Sequence, residues 1–187
     1  MENTNQMMDL SSDEMLALYK TMTHLATVRR DCTVERDDGI DLDAWLTLKL
    51  RHWYARLLLT APVEWLPVDD VKTDVALTAD DRGMVRATVP QQCVRPVEWR
   101  LAGWHSSVTA FLAPNDPLVR LQLNPWTRGS NCRPVAIDHG DHLVLFSGEM
   151  GAAPELAVAR CVVRPSDGRY RFHAAALSTL PPLEQSL

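Results

Sequence analysis

The chain has 187 residues, 46% of them hydrophobic and 23% charged, with a net charge of −5. That length is enough to bury the core of one domain, or of a small domain with a helical appendage. The negative balance argues against non-specific nucleic-acid binding by overall attraction, because phosphate contacts need concentrated Lys and Arg, and no apolar run approaches the roughly 18 residues of a membrane span.

The charge is uneven: residues 1–81 balance at −8 and residues 82–187 at +3. Solvated surface explains both values, and the same polarity would favour head-to-tail contact between copies at close approach. The basic residues are nearly all Arg, with only Lys20, Lys49 and Lys72 besides, and Arg suits partly desolvated interface ion pairs. The opening MENTNQMMDLSSDE is polar and acidic, without the apolar stretch of a signal peptide, so a cytoplasmic location is expected. Cys32, Cys93, Cys132 and Cys161 form no CxxC pair and are expected to be reduced thiols.

Residues 1–10 are read as disordered. Ser11 with Glu14 is a capping-box pattern opening a helix to about Arg30, in which Met15, Leu18, Tyr19, Met22, Leu25 and Ala26 form one apolar stripe. After the charged, Gly39-containing link, a second helix is predicted from about Asp41 to about Ala61, stopped by Pro62. Leu42, Leu46, Leu50, Trp53 and Leu57 share its face, with Trp45 and Leu58 at the edge. Two such helices read as an αα-hairpin whose stripes must be covered.

From Val71 the period becomes alternating. Val75 and Leu77, a turn at ADDRG, then Val85, Ala87 and Val89 predict a β-hairpin with a loop of about five residues. Val97, Trp99 and Leu101 make the next strand, closed by Gly103; Val108–Leu112 is a short strand or helical turn, and the state of Leu118–Leu123 is left open. NPWTRGSN is a loop. Val135–Asp138 and His142–Phe146 flank a tight turn at His139-Gly140, Leu156–Val163 is a buried strand, and a turn at Ser166-Asp167-Gly168 leads to a last strand around Arg169–His173 and a loose tail. The fold class is therefore α+β: a helical hairpin segment over residues 1–66, then an antiparallel β domain over 67–187, a sandwich or partly open barrel.

The densest polar cluster, Asp138-His139-Gly140-Asp141-His142, offers metal-ligand types. Asp and Gly are also what a tight turn demands for backbone reasons, and the turn reading is preferred. Cys132, in a Gly/Ser/Asn loop beside Arg133, is the best thiol nucleophile if one of the six His reaches it, although no family-type signature surrounds it. Ser106-Ser107 lacks a nucleophile elbow, and Asp69-Asp70 and Asp80-Asp81 read as solvated turns. No catalytic, cofactor or metal residue is assigned. Of the six tryptophans, Trp99 is placed in the core, while Trp104 and Trp126 at loop edges, with Arg128, are expected to make protein contacts, as are Trp53 and Leu57 on the second helix.

One stretch carries a family likeness. Val89-Pro90 is followed by a strand over Arg100 and Trp104, a polar segment with Arg120 to Gln122, Asn124 and Arg128-Gly129, a strand at Pro134 to Ala136, and a hairpin. In this cadence the chain is similar to head–tail connector (neck or adaptor ring) proteins of tailed phages, especially those of gut Bacteroidales phages and prophages. The resemblance covers about half of the chain. It implies a non-enzymatic structural subunit that oligomerises, bridges other virion proteins and could be incorporated into a virion. The residues themselves carry no strong nucleic-acid signal and lead to no expected cofactor or membrane partner. The alternatives are a small ligand-binding or regulatory domain and, further off, a divergent metal- or thiol-dependent enzyme.

Overall fold

Ser11 stands in extended backbone before the first helix. Its hydroxyl accepts from the Glu14 amide at 3.2 Å while the Glu14 carboxylate accepts from the Ser11 amide at 2.7 Å, so the capping box forms as the sequence predicts. In the computed structural model, which describes residues 7–23, 41–146 and 153–182, this helix is α1 (Ser12–Met22). The expected continuation to Arg30 lies outside the described residues, as does the link to α2 (Leu42–Thr60). Asp41 caps α2 by accepting from Asp43 and Ala44, and the helix ends at Ala61, before Pro62, within a residue of the sequence prediction.

The chain divides into two compact units, one made of Met1–Pro67 with Pro165–Leu187 and the other of Val68–Arg164. The sequence predicts a helical segment over residues 1–66 and a β domain over 67–187. The return of the last segment to the helical unit does not follow from it.

That return has a visible cause. Met7–Leu10, expected to be disordered, is strand β1, and it pairs antiparallel with a strand near the far end of the chain, Tyr170–His173. Asp9 fastens the pair: it accepts from Arg169 Nε at 2.5 Å and from Arg171 Nε at 3.1 Å, and Arg169 Nη2 also donates to the Asp9 carbonyl at 3.0 Å. The Arg169 guanidinium, with Arg171, holds the Asp9 carboxyl below its ordinary range. On α2, Leu46, Leu50, Trp53, Tyr54, Leu57 and Leu58 are buried, as are Met15 and Tyr19 on α1. The Trp53 ring meets Phe172 edge-on at 5.4 Å, and Tyr54 lies 5.0 Å from Tyr170. The Tyr54 hydroxyl both donates to the Arg171 carbonyl and accepts from the Arg171 amide, each at 3.0 Å. A side chain thus takes the place of a neighbouring strand. The tail expected to be loose instead forms a 3₁₀ segment, Ala174–Thr179, and the carbonyls of Pro181 and Pro182 accept from the Tyr19 hydroxyl and Lys49 Nζ at 2.8 Å each.

The second unit is built from antiparallel pairs. It contains β2 (Val68–Asp70), β3 (Leu77–Ala79), β4 (Val85–Thr88), β5 (Cys93–Leu101), the single turn α3 (Val119–Gln122), β6 (Ala136–Asp138), β7 (His142–Leu145) and β8 (Leu156–Val163). Tyr170–His173 is accordingly β9. Two open sheets result, with strand orders β2-β8-β5 and β3-β4-β7-β6. Pro96 sits where the β5–β8 register shifts, the place in a sheet that tolerates a missing amide donor. The β3–β4 hairpin has the expected five-residue loop, in which Asp80 Oδ1 accepts from the Arg82 and Met84 amides at 2.9 and 2.8 Å and Gly83 takes a φ of 72°. One buried cluster collects side chains from both sheets, including Val85, Ala87, Leu143 and Leu145 from one and Trp99, Leu101, Ala159 and Cys161 from the other. Val108–Leu112 contributes only isolated bridges, Trp99 with Val108 and Leu112 with Ile137. The class is α+β with antiparallel sheets, and no helix among the described residues is long and apolar enough to cross a membrane.

Candidate functional site

The segment from Leu118 to Arg133 carries three of the residues singled out by sequence, Trp126, Arg128 and Cys132. Its local bonds explain its shape. Asp116 Oδ1 accepts from the Leu118 amide, Asn124 Oδ1 accepts from the Trp126 amide at 3.0 Å, and the Thr127 hydroxyl donates to the Leu121 carbonyl at 2.7 Å. These bonds leave Leu118, Leu121 and Leu123 exposed and Trp126 93% exposed. Arg128 is half-buried and donates through Nη1 to the Arg82 carbonyl, so much of its reach is committed within the fold.

Gln122 is the buried polar side chain of this segment. It accepts from the Gly129 amide at 2.8 Å. Gly129 has to be glycine: a Cβ there would lie 2.7 Å from the Arg133 carbonyl oxygen and 2.9 Å from Val135 Cγ2. Together they seat the turn Ser130–Arg133, closed by amide-to-carbonyl bonds in both directions between its end residues at 3.1 and 2.9 Å. Replacing Gln122 by methionine keeps the volume and deletes the acceptor. We expect a loss of about 1 kcal/mol in denaturant unfolding, the typical net worth of the bond from the Gly129 amide to Gln122, whereas replacing the neighbouring exposed Leu121 by methionine should cost under about 0.5 kcal/mol.

Cys132 occupies that turn, exposed, and His105 Nδ1 stands 3.6 Å from its Sγ. Two further bonds hold the loops together: the His105 amide donates to the Asn131 carbonyl at 2.9 Å and the Ser106 hydroxyl to the Cys132 carbonyl at 2.9 Å. The imidazole partner that sequence could not choose among six histidines is His105. Ser107 is engaged elsewhere, donating to Glu98 Oε1 at 2.8 Å.

The other candidates fall differently. Trp104, expected at a contact surface, is 3% exposed and belongs to the buried cluster of the second unit. A tryptophan at a loop edge can still turn inward, and here the core takes its ring. Trp53 and Leu57 are 8% and 5% exposed, so their bulk is core of the first unit. Their edges line a groove of about 740 Å³ with Arg56, Pro62, Trp65 and Pro181. In Asp138–His142 the backbone reading has clear support: Asp138 Oδ1 accepts from the Gly140 amide at 2.8 Å, and Gly140 has a φ of 89°. The His139 and His142 rings stack at 4.6 Å, and the His142 ring beside Asp141, 2.6 Å away, holds that carboxyl below its ordinary range. Among the described residues no group of three or more His, Cys, Asp or Glu side chains could hold a metal ion. Asp70 accepts from the Lys72 amide, a turn role like that of Asp80.

Fold and site together define an α+β protein with an apolar, exposed loop and a cysteine–histidine pair on its antiparallel unit. The chain matches no family model, and no curated protein matches it significantly.

Proposed function

We propose that the protein is a non-enzymatic assembly subunit, of the head–tail connector kind its sequence resembles, that oligomerises and bridges other proteins. In this reading α1 and α2 form the helical hairpin, the two sheets form a sandwich, and the segment Leu118–Trp126 is a docking element. One observation carries it: Trp126 is 93% exposed beside three exposed leucines, on a segment whose own hydrogen bonds fix it in that pose. A rigid aromatic knob loses little entropy on contact, and a tryptophan left in water has no value to a monomer's core.

Light scattering across protein concentration tests the reading. A discrete oligomer larger than a dimer is expected, and Trp126→Ala is expected to shift it towards monomer by at least about tenfold in concentration, because interface tryptophans commonly contribute about 2 kcal/mol or more. A strict monomer at every concentration, unchanged by Trp126→Ala, would favour the small binding-domain alternative.

A further inference from the structure

Two loops separated by 27 positions are laced together at Cys132 and His105 by three contacts: Sγ to Nδ1 at 3.6 Å, the His105 amide to the Asn131 carbonyl, and the Ser106 hydroxyl to the Cys132 carbonyl. The lacing matters because a thiol needs a base held within hydrogen-bond reach as it attacks. Here the histidine backbone is bonded to the residue before the cysteine and the cysteine backbone to the residue after the histidine. The two bonds hold the backbones that carry the thiol and the imidazole side by side. Both side chains are exposed, so a reagent can reach the sulfur. Arg133, the next residue of the turn, is exposed and cationic, and the turn Ser130–Arg133 contains no carboxylate. The other described cysteines differ: Cys161 is buried and Cys93 half-buried, and the two thiols lie against each other, that contact and then burial pushing Cys93 up.

We propose that Cys132 is a thiol-exchange site for small anionic disulfides, the class to which oxidised glutathione belongs, with His105 as the proton acceptor. In the step, the Cys132 thiol gives its proton to His105 Nδ1 as Sγ attacks one sulfur of the disulfide. A new S–S bond forms to Cys132, the original S–S bond breaks, and the leaving sulfur departs as a thiolate that takes the proton back from the imidazolium. The number of S–S bonds is unchanged: Cys132 is oxidised into the mixed disulfide while the released half of the reagent is reduced to a thiol, so the disulfide is the only oxidant required. Arg133 offers the positive charge that the carboxylates of such an anionic disulfide would meet.

The test uses the full chain with oxidised glutathione, followed by mass spectrometry and peptide mapping. A glutathionyl group is expected on the peptide carrying Cys132, removable by dithiothreitol and absent from that peptide in Cys132→Ala. His105→Ala and His105→Gln should each slow the exchange at least about tenfold near pH 7. Arg133→Ala should slow exchange with oxidised glutathione but not with the neutral hydroxyethyl disulfide. His105→Gln keeps the backbone bond to Asn131, so its melting temperature should stay within about 2 °C of the parent's, which separates loss of the base from loss of the turn. Exchange at Cys132 no faster than at a short unstructured cysteine peptide, or an unchanged rate in both His105 variants, overturns the proposal.

Discussion

Replacing Trp99 by alanine is expected to destabilise the antiparallel unit by about 3–5 kcal/mol, the range for truncating a fully buried tryptophan. Its ring is wholly excluded from solvent. Across the β5–β8 pair it stands opposite Ala159, which is too small to move into the space left behind. Its backbone is also committed, exchanging amide-to-carbonyl bonds with Val108 at 2.9 and 2.8 Å, so the strand cannot slide to close the cavity. The indole N–H makes no conventional hydrogen bond and faces the weakly accepting sulfur of Cys161. The expected loss is therefore one of packing rather than of polar pairing, and Trp99→Phe should cost less than half as much as Trp99→Ala. Urea unfolding followed by far-UV circular dichroism reads both. A loss under about 1 kcal/mol for Trp99→Ala would mean that the cluster drawn from the two sheets is not the core of this unit.

The parts of this architecture that sequence foretold are those settled by near neighbours. Asp41 and Pro62 bracket α2, the capping box opens α1, and the strand predicted at Leu156–Val163 is β8. What it missed depends on residues far apart in the chain. Met7–Leu10 is four residues after a polar run, and nothing local marks it as a strand. Its partner β9 lies some 160 positions away, and the Asp9–Arg169 bond that fastens the two has no local signature. Tyr54 was passed over because only the leucine and tryptophan stripe of α2 was counted, yet its hydroxyl is what pairs the Arg171 backbone.

The site divides along the same line. Cys132 in its loop and Trp126 beside it could be read from composition, whereas His105 was one of six equal histidines until the Ser130–Arg133 turn brought it to the sulfur. Gln122 and Gly129 were legible only as part of a cadence. Their reason, a buried acceptor and a close backbone approach, is tertiary. Trp104 shows the reverse error. A loop position says where the backbone runs, and the ring followed the core instead.

The helical unit is expected to unfold at alkaline pH, and its tyrosines give the reason. The chain has three, Tyr19, Tyr54 and Tyr170, and all lie in this unit and are buried. Burial pushes each phenol above its ordinary value, since removal from water penalises the phenolate; at Tyr54 the bond from the Arg171 amide opposes this without cancelling it, and at Tyr170 the nearby Arg51 does the same. A group whose pKa is higher in the fold than in the unfolded chain contributes stability that is fully present below the unfolded value, about 10 for tyrosine, and is lost as pH rises towards and through the folded value. Each unit of upward shift corresponds to about 1.4 kcal/mol once the pH exceeds both values. Deprotonation also breaks specific contacts: Tyr19 would no longer donate to the Pro181 carbonyl, nor Tyr54 to that of Arg171. The three phenols should therefore ionise together with the loss of helix. Because no tyrosine lies in the other unit, tyrosinate absorbance reports this one alone, and above pH 10 it should rise in a single steep step that coincides with the fall in helical circular dichroism. Three independent, shallow ionisations near pH 10 with the helix signal unchanged would show that these hydroxyls are not held in the buried, bonded positions that tie α1 and α2 to the C-terminal segment.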